Sequence, residues 1–227
     1  MNGIPADKDQ MVYANCMEAI KRRMDAVYAI LRGPCTTLYP ITNIEFACLQ
    51  IRKILELIAL ASLASHEEEF ARQHQKFAEM WRAKKIVDDL EKLNPGFYPV
   101  PTEQVVDDKT GKVLEVRAIS KPYLTKADFA DVYQECSAIL HAENPYGPPK
   151  QLSQIEAAIP VWTEKIKNLL NHHHVQLYSS KHQLWVVMKA KTDGRVHVHL
   201  FEQIDDPNRI AKLEDERQQA KREAQAG

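Results

Sequence analysis

The sequence predicts a mainly α protein: a helical bundle of about five helices with an inserted β-hairpin and a C-terminal three-stranded antiparallel meander. Three observations support this fold class. Apolar residues recur every three or four positions in several long segments of residues 1–171. Strand-like runs rich in β-branched residues flank turn signals at about 103–119 and again within 172–204. The last segment, 205–227, is charged and poor in apolar residues, which predicts a solvated tail.

The first three helices are predicted at Asp9 to Gly33, at about Asn43 to His74 and at about Ala78 to Leu93. Thr42 or Asn43 can cap the second helix. Its first five turns are apolar on nearly every side, so we expect it at the centre of the bundle. Four of its apolar side chains are then expected to be almost fully buried: Phe46, Leu49, Ile54 and Ile58.

The predicted hairpin surrounds Lys109-Thr110-Gly111 and is read as an insertion between helices. A fourth helix follows at about Lys126 to Glu143, and a fifth region at Leu152 to Asn171 is helical in pattern. Pro160 interrupts that pattern, so we expect a kink or a fresh helix start there. In the meander, Asp193-Gly194 predicts a two-residue type I′ turn.

Composition excludes several classes of function. The formal net charge of -1 gives no global attraction to nucleic acid or to an anionic membrane, so either contact needs a local patch. The seven glycines form neither GxGxxG nor GxxxxGK[ST], which argues against Walker-type hydrolysis and Rossmann-type cofactors. No cofactor is therefore expected.

The sequence also indicates a compartment. The four cysteines are widely spaced without a CxxC pair, and the chain starts without an apolar signal segment, so a cytoplasmic location is expected. The longest apolar stretch, "ILELIALASLA", is shorter than the roughly 20 residues of a spanning helix. We therefore expect no membrane contact.

Two polar stripes on helices are the candidate sites. On the second helix, Glu45, Arg52 and Glu56 lie along one side, where Arg52 either pairs with Glu56 or lines a cleft and binds an anion. On the fourth helix, Tyr133, Ser137 and His141 recur every four residues. His141 is either a structural residue near the helix end or an acid, base or RNA contact. The expected polar cleft comprises Glu45, Glu56, Tyr133, Ser137 and Asn144.

Histidines cluster in two further places. His172 to His174 cannot converge on one ion in a helix, and only His172 and His174 share a side if the chain is extended. His197 and His199 share a strand face with Arg195 and Phe201, opposite Val196, Val198 and Leu200. Because no sequence-local ligand completes either set, no metal is expected, and a solvated sheet face is the favoured interpretation.

Three segments carry a resemblance to a known family. The helix with "IRKILELIALASL", the later helix ending in "CSAILHA" and the turn "ENPYG" resemble the all-helical HEPN domains (higher eukaryotes and prokaryotes nucleotide-binding superfamily) over roughly Asp9 to Asn171. The resemblance implies an often dimeric bundle of bacterial toxin and phage-defence systems. Active members cut RNA with an arginine and a histidine in R-x(4-6)-H.

This chain departs from that motif. Gln134, Glu135 or Cys136 stands where the arginine would precede His141, and a carboxylate there would repel phosphate. Two hypotheses follow. The first is a non-catalytic or regulatory helical protein of a bacterial defence or stress system, acting through a homodimer or a protein partner. The alternative is a metal-independent ribonuclease in which His141 meets Arg52 across two helices, with RNA as its partner.

Overall fold

The structure is a computed structural model and describes residues 6–64, 83–107, 109–110, 112–142, 146, 150–177, 181–202, 204, 212 and 219. The described residues form five helices and one five-stranded antiparallel sheet. The helices are α1 (Ala6–Leu31), α2 (Pro40–Ala64), α3 (Ala83–Leu93), α4 (Lys126–Leu140) and α5 (Leu152–Leu170). The strands are β1 (Val100–Val106), β2 (Val113–Ala118), β3 (His172–Gln176), β4 (His182–Val187) and β5 (His197–Glu202).

The predicted fold class is wrong in its sheet. The strand order is β2-β1-β3-β4-β5, so the hairpin and the meander form one sheet and the protein is mixed α/β. The two parts meet where Val100 pairs with His174 and Pro101 pairs with His173. Sequence patterns hide this junction, because prolines at 99 and 101 argue against a central strand. The hairpin pairing itself is observed, with Thr102 opposite Ala118.

The core lies between the helices and one face of the sheet. Val175, Leu184 and Val186 on the inner face are fully or almost fully buried, together with Tyr13 and Met17 on α1. Alternation along each strand then directs the next residue to the opposite, outer face. None of the described helices has the length and apolar content needed to cross a membrane.

The helix α2 is central, as predicted, and packs against α1 and α4. Ile54 and Ile58 are buried. The prediction is wrong for Leu49, which is 36% exposed, and for Phe46, which is only partly buried. A helix that looks apolar all round still has one side away from its neighbours, and Leu49 lies on it.

Helix ends follow local chemistry. Gly33, at φ +84°, lies just after α1, as a C-terminal glycine should. The helix α2 begins at Pro40 instead of after a cap at Thr42 or Asn43, because proline is preorganised for the first helical position. Thr125 caps α4 in a reciprocal capping box with Asp128. Pro160 lies inside a continuous α5, so there is no fresh start.

The predicted type I′ turn between β4 and β5 is also wrong. Gly194 has φ +70°, but among the described residues Leu38 is the one non-glycine with positive φ, so Asp193 lacks the required conformation. The amide of Ala190 donates to the carbonyl of Arg195 at 2.9 Å, which closes a longer loop. Several predicted features lie outside the described residues. They are segment 65–82, which covers the end of the predicted second helix and the start of the predicted third, and most of the tail.

Candidate functional site

The outer face of the sheet carries a cluster of rings. On β3 to β5 several of the residues on the side opposite the core are aromatic or imidazole side chains. Five of these form what we call the aromatic face: His172, His174, Trp185, His199 and Phe201. The extended chain at β3 puts His172 and His174 on one side. The register then places Trp185 opposite His174 on one neighbouring strand and opposite His199 on the other.

Trp185 is the centre of the aromatic face. The His174 ring stacks on it, with centroids 4.9 Å apart and planes 19° apart. Phe201 contacts it edge to face at 5.9 Å, and His172 lies tilted at 5.8 Å. Its indole nitrogen donates to Oε1 of Gln183 at 3.0 Å. Cross-strand ring pairs of this kind fix one another's orientation, so the indole is held in place.

His172 lies at the β1 side of the aromatic face and is held there by two hydrogen bonds. Its Nε2 lies 3.1 Å from Nε2 of Gln104, and its Nδ1 lies 2.6 Å from the hydroxyl of Thr102. Because the amide nitrogen of Gln104 can only donate, Nε2 accepts and Nδ1 carries the ring proton. Burial, reinforced by His174, lowers the pKa of His172. His172 is therefore a neutral imidazole at neutral pH.

The edge strand β5 exposes the rings that a ligand can reach. Phe201 is 54% exposed, and the His199 ring lies next to it at 6.4 Å. His197 lies two residues before His199 on the same strand, and its Nε2 is 3.1 Å from a carboxylate oxygen of Asp193. Burial lowers the pKa of His174 in the stack behind them. The surface that this edge offers to solvent is thus formed by one phenyl ring and neighbouring imidazole rings.

Positive charge lies at one end of the aromatic face. The connection from β4 to β5 carries three exposed cationic residues, Lys189, Lys191 and Arg195. The acidic residue of this connection, Asp193, is engaged by the backbone of Arg195 and by His197, and these contacts lower its pKa. The connection therefore has a positive local charge, although the formal net charge of the whole chain is -1.

The stripe predicted on α2 forms a small polar cluster with α4. Nε of Arg52 donates to Oε1 of Glu56 at 3.2 Å, so the predicted ion pair is confirmed. The hydroxyl of Tyr133 donates to the same oxygen at 3.3 Å, and the Arg52 guanidinium lies 5.3 Å from the centre of the Tyr133 ring. Arg52 is therefore occupied by neighbours. Glu45 lies nearer the start of α2 and is partly buried.

The other predicted site residues lie further along α4. The hydroxyl of Ser137 donates to the carbonyl of Tyr133 at 2.7 Å, a bond within the helix. His141 is the exposed C-cap residue, and its carbonyl accepts from the ammonium of Lys150. Two turns, about 12 Å along the axis, separate His141 from the Tyr133 that contacts Arg52. Asn144 lies outside the described residues.

Metal chemistry has no visible site in the part of the chain that the structure describes. No group of three or more His, Cys, Asp or Glu side chains there is arranged to hold an ion. His197 and His199 contact each other only as rings, with centroids 6.1 Å apart.

This chain matches no protein-family model, no curated protein and no solved structure. The resemblance to HEPN domains therefore stays a prediction. Sequence reasoning placed His197, His199 and Phe201 on one strand face but missed Trp185 as its centre. The available signal was the alternation in "HHHVQ" and "QLWVV", which puts Trp185 and the two outer histidines on one face once the two segments pair.

Proposed function

We propose that this chain is a non-catalytic protein that binds single-stranded nucleic acid on the aromatic face of its sheet. The observation that carries the proposal is the Trp185 cluster, in which a stacked and hydrogen-bonded indole supports the exposed ring of Phe201 on the edge strand. Exposed aromatic rings on an antiparallel sheet provide stacking platforms for unpaired bases, because every base has a π face.

The charges around the face suit a weak ligand contact that depends only slightly on salt. Bases would stack on Phe201 and His199, while the backbone phosphates lie near Lys189, Lys191 and Arg195 at the end of the sheet. Few cations contribute and the net charge of the chain is -1, so most of the affinity must come from stacking. We expect a shallow dependence on salt, since each neutralised phosphate adds about 0.7 to the log-log slope for a single strand.

Fluorescence anisotropy with short labelled single-stranded RNA and DNA tests this function. Phe201→Ala should weaken binding about fivefold or more, because removing one base–aromatic stack costs about 1 to 3 kcal/mol. His199→Ala should act in the same direction. Tyr39→Ala is the matched control, since Tyr39 is also an exposed ring but lies in the loop just before α2 and not on the sheet.

Three results would contradict the proposal. The first is an absence of binding to any single-stranded probe at low salt by a protein that melts cooperatively. The second is equal loss of binding in Phe201→Ala and Tyr39→Ala, because the binding would then not depend on the sheet face. The third is a preference for duplex over single strands, which would count against stacking.

A second candidate function, self-association, is favoured by the loop between α1 and α2. Leu38 has φ +80° and is 81% exposed, and the adjacent Tyr39 is 64% exposed. The loop is held by Asn43, whose Oδ1 accepts from the amide of Thr37 at 2.7 Å. A strained loop that presents apolar side chains to solvent suits contact with a second copy of the chain, as the expected homodimer requires.

Light scattering coupled to size exclusion tests this candidate. Leu38→Asn removes the apolar side chain, while asparagine tolerates a positive φ, so the fold should persist. A dimeric wild type should become monomeric in this variant and stay dimeric in Met11→Gln, which changes an exposed apolar residue of α1. A monomeric wild type, or equal dissociation of both variants, would contradict self-association through this loop.

A further inference from the structure

A groove of about 350 Å³ lies between α1, α5 and the residues that follow β4, and it shares Lys189 with the cationic end of the aromatic face. Its volume is near the lower end of the range of small-molecule sites, about 300 to 1,000 Å³. Five buried apolar side chains form its floor: Ile20, Met24, Ile166, Leu170 and Met188. The groove can therefore take a small apolar body.

The rim of the groove is rich in hydrogen-bond donors. Three lysines, Lys21, Lys167 and Lys189, line it against one carboxylate, Asp25. Lys21 pairs with Glu18, and Lys167 pairs with Glu164. The structure gives Lys189 no ion-pair partner among the described residues. This lysine follows the floor residue Met188, so one charge is available beside the apolar surface.

Tyr28 adds a further polar group to the rim. Its ring is covered on one side by the Arg32 guanidinium at 5.0 Å. Burial raises the pKa of its hydroxyl, although Lys167 opposes this effect. The phenol is therefore protonated at neutral pH and able to donate a hydrogen bond. Two kinds of donor, an ammonium and a phenol, border one apolar floor.

We propose that this groove binds a small amphipathic anion, an acyl carboxylate whose chain lies on Met24, Ile166 and Met188 and whose head group contacts Lys189. Charge complementarity selects the anion, because the rim carries more cationic than anionic groups and Lys189 lacks a partner among the described residues. The floor selects an aliphatic body, because its side chains are flexible methionines and branched aliphatics.

Calorimetric titration of the full chain with octanoate, below its micelle concentration, tests this site. Octanoate should bind more tightly than octanol or octylammonium, which share the chain but not the charge. Added salt should weaken octanoate binding and leave octanol binding unchanged. Lys189→Gln should weaken octanoate binding about fivefold, because an exposed charge contact contributes modestly.

Lys191→Gln is the matched control, since Lys191 is an exposed lysine of the same connection that does not line the groove. It should bind octanoate like the wild type. Amide shifts on titration should map to Leu170 and Met188. Equal binding of octanol and octanoate, equal loss in both lysine variants, or shifts confined to the sheet face would each overturn the proposal. Melting curves of both variants exclude a folding defect as the cause.

Discussion

The hydroxyl of Tyr13 on α1 lies 2.8 Å from Nε2 of His173 on β3, the central strand, and both side chains are fully buried. Nδ1 of His173 lies 2.8 Å from the carbonyl oxygen of Leu170. Because a carbonyl only accepts, Nδ1 carries the ring proton and Tyr13 donates to Nε2. A neutral imidazole with both nitrogens satisfied thus joins the first helix to the middle of the sheet.

The first prediction is that acid destabilises this junction. Burial lowers the pKa of His173 to about 4, from about 6.5 in an unfolded chain. Between these values the unfolded state binds more protons, so stability is fully present above the unfolded pKa and is lost as the pH falls toward 4. We expect the free energy of unfolding to decrease by roughly 3 kcal/mol across this window. His172 and His174, whose pKa values burial also lowers, act in the same direction.

Urea unfolding at several pH values, for the wild type and for His173→Gln, measures this effect. The variant should show a smaller loss of stability on acidification, while His199→Gln on the exposed edge should match the wild type. NMR provides a measurement on the wild type alone, in which the His173 ring should keep its neutral-form shifts at a pH where an unfolded histidine is protonated. A ring that titrates near its unfolded pKa would contradict the prediction.

The second prediction concerns the other member of the pair. Tyr13→Phe removes the hydroxyl and leaves Nε2 of His173 as a buried acceptor without its donor. Such a group costs about 1 to 3 kcal/mol, so the variant should lose that much stability on denaturation. Tyr39→Phe, which removes an exposed hydroxyl, should change stability by about half a kcal/mol or less. Similar values for the two variants would show that the buried bond contributes little.

The third prediction separates two residues that look alike in the sequence of α2. Ile54 is fully buried, whereas Leu49 is 36% exposed. Ile54→Ala should cost about 2 to 5 kcal/mol, because it removes buried carbon and leaves a cavity. Leu49→Ala should cost clearly less, about 1 kcal/mol or below. Chemical denaturation of both variants checks the ranking, and a larger loss for Leu49→Ala would mean that α2 presents a different side to the core.

The helices of this fold are specified by local sequence, whereas the sheet depends on distant residues. Helices α1, α4 and α5 were predictable, because three- and four-residue spacing and caps such as Thr125 are encoded within each segment. The single sheet was not, because it depends on β1 pairing with β3 through residues more than 70 positions apart, Pro101 with His173. Local patterns carry no information on such a pairing, and the prolines around β1 disguise the strand.

The candidate site was predictable in part for the same reason. The four-residue spacing on α2 predicted the contact between Arg52 and Glu56 correctly. The role of Tyr133, which joins that pair from α4, depends on helix packing that a single sequence does not reveal. The aromatic face needs three strands in register before Trp185 meets His174 and Phe201, so its rings looked like separate features of the sequence.

The last prediction concerns Arg52 and His141, the pair expected from the ribonuclease hypothesis. The side chain of His141 is exposed at the end of α4, and the contact with Lys150 uses its backbone, so His141→Ala should change stability by about 1 kcal/mol or less. Arg52→Ala removes a partly buried ion pair and a contact with the Tyr133 ring, which together contribute about 1 to 2 kcal/mol.

Because Glu56 and Tyr133 occupy Arg52 and His141 lies about two helical turns from Tyr133, we expect neither variant to alter oligonucleotide binding. We also expect labelled RNA to remain intact with the wild type and with both variants. Melting curves, anisotropy and gel analysis of the incubated RNA check these outcomes on the same preparations. Cleavage by the wild type that both substitutions abolish, in variants that still melt cooperatively, would establish that the reaction needs both residues. The catalytic hypothesis would then replace the binding one, because a shared loss of chemistry in folded variants indicates that both groups contribute to the reaction.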